Sequence, residues 1–210
     1  MPHINGVKKM AGKRFLHLYE MEAVHRDGSV KPYYLASRNG DPETLKAVTG
    51  KNPADGVIIY AVHGAEKDKL VLIRQYRYPI AGYVYEFPAG LVEDGENPME
   101  GAKREMLEET GLTFTPKDGK SYSRPFFTTV GMTDESCATV YGYCNGIPTS
   151  RNQESSEDIQ VVLADREECK RILREENVAI MCAYMLMHFI ASEEILWHFW
   201  IFNKEKIIHV

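Results

Sequence analysis

Three features are scarce in this 210-residue chain. It has no basic excess: 25 Lys and Arg stand against 30 Asp and Glu, a formal net charge of −5. Non-specific binding to DNA or RNA needs a basic face, so nucleic acid is not an expected partner. It has no long apolar run. The most apolar stretch, 178–191, amounts to about one-half to two-thirds of a bilayer span. It contains His188 and is followed by Glu193 and Glu194, so a buried or dimer-facing helix is expected rather than a membrane span. It has no paired cysteine spacing. Cys137, Cys144, Cys169 and Cys182 make no CxxC, which fits free thiols in a reducing cytoplasm better than a disulfide framework or a zinc site. Residues 1–15 lack the apolar core and cleavage pattern of a secretory leader. No repeat or low-complexity tract is visible.

What is present is ordinary for a chain that buries a core: 44% apolar and 26% charged residues. The length suits one large domain, or a core domain with a small appendage. Residues 14–25 and 30–38 read as two strands joined by the turn Arg26-Asp27-Gly28-Ser29. Alternation sends Leu16 and Leu18 one way and Phe15, Tyr19 and Met21 the other. Residues 41–54 read as a linker. The run from Val57 to Val62 is apolar throughout and predicts a strand buried on both faces. Further strands are expected at 70–76, 83–87, 122–130, 137–144 and 159–163. Helices are expected at 98–110, 165–175 and 177–199. Strands and helices mix without βαβ alternation, which predicts an α+β fold with a mixed sheet. The division expected is an N-terminal β-hairpin subdomain and linker, 1–54, followed by a main domain, 55–210.

The chemistry concentrates in residues 90–112. Asn97 is a good N-cap, Pro98 suits the first helical position, Glu100 completes a capping box and Gly111 can end the helix. Met99, Ala102 and Met106 fall on one side of that helix and are expected to pack inward. Glu105, Glu108 and Glu109 share another, at i, i+3 and i+4. Three carboxylates so close repel one another, and a divalent cation among them would remove the conflict. Hard oxygen ligands and little histidine point to Mg²⁺, with Mn²⁺ as the substitute. A Glu-rich helix face alone would read as solvated surface. The spacing changes that reading: Gly90, Glu96, Arg104-Glu105, Glu108-Glu109 and Gly111, with apolar Met106 and Leu112, match a known signature at every constrained position.

That pattern resembles the Nudix hydrolases, and the phrase Glu86-Phe87-Pro88-Ala89-Gly90 before it is similar to the ADP-ribose (ADP-sugar) pyrophosphatase branch. The resemblance implies a Nudix α/β/α sandwich with a small antiparallel N-terminal sheet. It implies Mg²⁺-dependent hydrolysis of ADP-ribose to AMP and ribose 5-phosphate. The alternatives are the same chemistry on GDP-mannose, ADP-glucose or a dinucleotide, and a non-catalytic nucleotide-sugar sensor. Metal ligands implied are Glu105, Glu109, Glu108 and the Ala89 carbonyl. Glu96 and Arg104 would brace loop and helix, and Arg104 is grouped with Glu108 and Glu157 as catalytic candidates. Glu157, ahead of a strand, matches the general base, with Glu154 the runner-up and a box glutamate also open. Arg77 and Arg38 are implied against the diphosphate. Phe15 and Tyr33 stand where relatives stack the base, and Glu135 is implied at the terminal ribose. Val130 stands where this branch commonly has proline, which leaves room for other nucleoside diphosphate sugars. The resemblance further implies a cytoplasmic homodimer that exchanges its N-terminal strands, with no membrane partner.

Overall fold

The computed structural model describes residues 1–66, 68–117, 122–153 and 157–192. In chain order the elements are β1 (His3–Lys13), β2 (Leu16–Val24), β3 (Val30–Ser37), α1 (Lys46–Thr49), β4 (Gly56–His63), β5 (Lys69–Arg77), β6 (Gly82–Glu86), β7 (Ala89–Leu91), α2 (Pro98–Thr110), β8 (Thr113–Pro116), β9 (Phe126–Phe127), β10 (Ser136–Asn145), β11 (Ile159–Ala164), α3 (Arg166–Glu175) and α4 (Ile180–Ala191). Contacts divide the chain into two units. One comprises Met1–Asp55 and Arg124–Ala138; the other comprises Gly56–Ser123 and Thr139–Val210.

The first unit is built on an antiparallel sheet in the order β1-β2-β3. Tyr19, Met21, Leu35 and Leu45 form its buried cluster, and Leu16 and Leu18 face away from it, as the alternation predicted; Phe15, expected on the side of Tyr19 and Met21, precedes β2 and is exposed. Two further expectations fail here. β1 had no counterpart in the sequence reading. Residues 41–54 are more than a linker, because Leu45 is wholly buried and α1 follows it. Segment 124–138 is tied on by the Asp55 N–H donating to the Ser136 carbonyl, the Ser136 N–H donating to the Asp55 carboxylate, and Asn52 donating to the Pro125 carbonyl. The Lys46 ammonium meets Asp55 at 2.6 Å, with Asn52 and Ser136 alongside, so its charge is paired where it is screened from water. The strand expected over 122–130 shrinks to β9 and a single bridge at Tyr122. Pro125 within it has no N–H to give to a ladder.

The second unit carries a sheet in the order β11-β5-β4-β10-β8, with β6 on β5 and β7 on β4. β4 is buried on both faces, as its apolar run required. On one face Val57, Ile59, Ala61 and Val71 pack with Ala102 and Met106 of α2 and with Leu112; Met99 lies against them. The neighbouring residue in β4, Tyr60, must point to the other face. There its ring stacks on Phe87 at 5.3 Å and lies near Cys169 on α3. Helices α3 and α4 bury Cys169, Ile172, Cys182, Leu186 and Phe189. The fold is therefore α+β with a mixed sheet, helices on both faces and a small antiparallel N-terminal sheet, as expected. The helix expected over 177–199 runs from Ile180 to Ala191, and positions 193–199 lie outside the described residues. Among the described residues no helix is long and apolar enough to cross a membrane.

Helix α2 positions the chemistry, and its ends are set locally. The Asn97 side chain accepts from the Met99 and Glu100 N–H groups, Glu100 accepts from the Asn97 N–H, and Gly111 closes the helix at φ 71°. Asn97→Ala leaves those first-turn N–H groups without side-chain acceptors and is expected to cost about 1 kcal/mol in a denaturant titration.

Candidate active site

The site begins where β7 crosses the inner side of α2. Gly90 has no backbone need to be glycine, because its φ lies outside the left-handed region. Space is the reason: a Cβ there would overlap the Glu105 carboxyl. The strand thus passes flush against a side chain that sits only 14% exposed. One turn further along α2, Glu109 is 3% exposed and accepts from the Ala89 N–H at 3.1 Å. Two carboxylates and the Ala89 peptide are gathered against one short strand.

A lattice of ion pairs borders them. Arg104 donates to both oxygens of Glu96 at 3.1 and 3.0 Å and to the Leu91 carbonyl at 2.9 Å. Its other nitrogen reaches Glu105 at 2.9 Å and Glu108 at 3.0 Å. Glu96 also accepts from the Glu93 N–H, and Arg104 above all holds its pKa below the ordinary carboxylate value. Glu96 and Arg104 brace the loop against the helix in this way. Glu108 is 46% exposed and turns toward Arg104, so it stands apart from the buried pair.

The buried pair is electrostatically uncomfortable. Burial pushes the Glu105 pKa up, and Arg104 offsets that only in part. Glu109 lies well above its ordinary value, again first through burial; the Ala89 N–H opposes the shift, while the charges of Glu105 and Glu157 add to it. Each raised carboxylate stabilises the metal-free fold below the ordinary value of 4.5 and loses that contribution as pH rises through its folded-state pKa. Glu109→Gln should therefore become progressively more stable than the metal-free wild type as pH climbs above 4.5. Thermal melts of both proteins between acid and neutral pH check this, and a gap that closes toward neutrality would contradict it.

Among the described residues, no three His, Cys, Asp or Glu side chains are already drawn together closely enough to hold a metal ion. Arg104 holds Glu105 and Glu108 to one side, and Glu109 bonds the Ala89 N–H. The donors nevertheless suit a hard divalent cation: they are all oxygen, with two acids buried without full charge compensation beside a peptide whose carbonyl is a further donor. Glu105, Glu109 and Ala89 are the residues that could hold it.

Two other elements bring candidates to this unit. Glu157 precedes β11 and is close enough to act on both Glu105 and Glu109. Glu154 lies outside the described residues. Arg77, at the end of β5, lies in the field of Glu109 and is engaged by Glu86 at 2.7 Å. That partner was not foreseen, since it depends on the β5–β6 register. The first unit holds the remaining candidates. Arg38 meets Glu135 at 2.5 Å, and Glu135 also accepts from Thr128. The Tyr33 hydroxyl donates to the Gly131 carbonyl at 2.7 Å. Phe15 sits in the turn before β2, under the Arg14 guanidinium, whereas Tyr33 lies opposite Met21. At ~3.3 Å per residue the two rings are about 20 Å apart along the sheet, so one chain does not bring them together.

The NUDIX domain family model matches residues 51–179. A Nudix relative from Caenorhabditis elegans is 37% identical over 121 residues, 54% of this chain and 52% of its own length. The ADP-sugar pyrophosphatase of Mus musculus is 43% identical over 72 residues, covering 33% of each chain. The ADP-ribose pyrophosphatase of Bacillus subtilis is 36% identical over 87 residues, 40% of this chain and 43% of its own. The chain thus spans about half the length of these curated relatives, or less. The crystal structure of an ADP compounds hydrolase superposes with a TM-score of 0.62 at 18% identity, covering 90% of this chain and 91% of its own, which shows a shared fold. The family model takes in more than half of the sequence, including β7, the loop and the whole of α2, and the chain belongs to the Nudix domain family.

Proposed function

We propose that the protein hydrolyses the diphosphate linkage of ADP-ribose, with Mg²⁺ bound, to AMP and ribose 5-phosphate. The observation that carries this reading is the pair Glu105 and Glu109, buried against Ala89-Gly90 within the field of Glu157. A bound divalent ion supplies neutralisation of the charge that builds on the diphosphate. Glu105, Glu109 and the Ala89 carbonyl would hold it, and Glu108 would add a more exposed carboxylate at the edge. Arg77 exchanges Glu86 for phosphate oxygens, which its planar guanidinium can contact in pairs. Glu157 takes the proton from the water that attacks phosphorus in line. Arg104, anchored by Glu96, limits the repulsion between Glu105 and Glu108. Phe15, Tyr33, Arg38 and Glu135 are the residues that the family resemblance assigns to the base, the diphosphate and the terminal ribose. The names of the mouse and B. subtilis relatives support an ADP-sugar substrate.

Val130 before Gly131 keeps GDP-mannose and ADP-glucose in view as competing substrates. A nucleotide-sugar sensor is disfavoured by the full set of box carboxylates. The test is product analysis with Mg²⁺ on these compounds in ¹⁸O-labelled water. AMP from ADP-ribose at the highest kcat/KM is the expected result. Tight ADP-ribose binding without AMP release would favour the sensor. Glu157→Gln is expected to slow turnover about 10²- to 10⁴-fold with metal binding unchanged in calorimetry. An unaltered rate would move the base role to another carboxylate.

We also propose a homodimer that exchanges N-terminal strands. The outward-facing Phe15, Leu16, Leu18 and Tyr34 of the first unit are apolar surface that such pairing would cover. The four free cysteines suit a reducing cytoplasm.

A further inference from the structure

The sheet face opposite α2 carries a contact that the proposed chemistry does not use. Tyr83 on β6 donates its hydroxyl hydrogen to Asp158 Oδ2 at 2.5 Å. Three residues stand side by side there, on β6, on β5 and just ahead of β11. Tyr83 is paired with Tyr76, and the Tyr76 N–H donates to the Asp158 carbonyl at 3.1 Å. This continues the register that sets Ile159 opposite Gln75. The Tyr83 ring is itself held. The Arg74 guanidinium lies 4.1 Å over it, Tyr76 meets it edge-on at 5.5 Å, and Arg74 is tied across to Gln160.

Asp158 directly follows Glu157. Successive side chains along an extended backbone point to opposite faces. Asp158 directed at Tyr83 therefore sends Glu157 to the α2 face, where Ile159 is buried and Val161 packs on the core. On that face Glu157 acts on Glu105 and Glu109. A slip or twist of one residue would reverse the two side chains and carry the Glu157 carboxylate away from the site. The hydroxyl bond to Asp158 opposes that slip at the residue where it would begin. The same bond is the first cause of a raised Tyr83 pKa.

We propose that Tyr83 and Asp158 form a latch that aims Glu157, which makes Tyr83 a positioning residue for the general base. The proposal rests on the reading of Glu157 as that base. Its test is a double-mutant cycle of wild type, Tyr83→Phe, Glu157→Gln and the double variant, with kcat, KM and thermal stability measured on ADP-ribose. Phenylalanine keeps the ring beneath Arg74 and removes only the donor. The expected result is a kcat about three- to tenfold lower in Tyr83→Phe, with KM within about twofold. The double variant should turn over at the rate of Glu157→Gln alone, because the latch then has nothing to aim. Asp158→Asn, which keeps an acceptor oxygen, should retain most of the rate that Asp158→Ala loses. A silent Tyr83→Phe beside a slow Glu157→Gln overturns the latch and leaves the base assignment standing. An equal Tyr83→Phe loss in the Glu157→Gln background also overturns it, since a general structural role would act that way. A Glu157→Gln variant with the wild-type rate overturns the base reading and the latch together.

Discussion

Glu109→Gln is expected to lower kcat by on the order of 10³-fold or more, which exceeds the ~10–100-fold typical when a partner of a metal ligand is removed. The substitution keeps the size of the side chain and an oxygen for the Ala89 N–H. What it removes is negative charge, at a place where burial already opposes that charge. Folding should therefore be preserved or slightly improved in the metal-free protein, while calorimetric Mn²⁺ binding collapses. Opposite effects on stability and on turnover separate a metal-holding carboxylate from one that supports the fold. Glu105→Gln should behave alike but less cleanly, because Arg104 also loses a charged partner. Near-normal turnover in either variant would show that the ion, if bound, is held elsewhere.

Gly90→Ala is expected to lower kcat about 10²-fold, the usual penalty for displacing a reacting arrangement by ~1 Å. The new methyl would occupy the place of the Glu105 carboxyl. Either Glu105 swings away or β7 shifts off α2, and both separate Glu105 from the Ala89 peptide. Overpacking of this kind also costs about 1–3 kcal/mol of stability, which a denaturant titration measures. Unchanged turnover in Gly90→Ala would mean that the close approach of strand and carboxylate has no catalytic purpose.

Much of this site was readable because its determinants are local. Asn97, Pro98, Glu100 and Gly111 fix both ends of α2 within a few residues of themselves, and the observed helix has the expected bounds. The shared face of Glu105, Glu108 and Glu109 follows from helical spacing alone. Other features were hidden for physical reasons. In β1 the register shifts between Ile4 and Val7 and again between Lys9 and Ala11, so its apolar residues lose the two-residue period that marks a strand. β7 is three residues long and β8 buries only Phe114. Leu45 and Val48 are both apolar residues in a polar stretch, and only the tertiary fold makes the first core and leaves the second exposed. The partners of the functional side chains were the least legible. Arg77 with Glu86 depends on how β5 pairs with β6, and Tyr83 with Asp158 joins positions 75 residues apart. Helical spacing grouped Glu108 with its neighbours, whereas Arg104 turns it toward solvent.

The direct test of the central claim is AMP release from ADP-ribose by protein stripped of metal, first in excess EDTA and then with Mg²⁺ restored. If Glu105, Glu109 and Ala89 cradle a divalent ion on a diphosphate, turnover vanishes in the chelator and returns with Mg²⁺. Full turnover in excess EDTA would contradict the account.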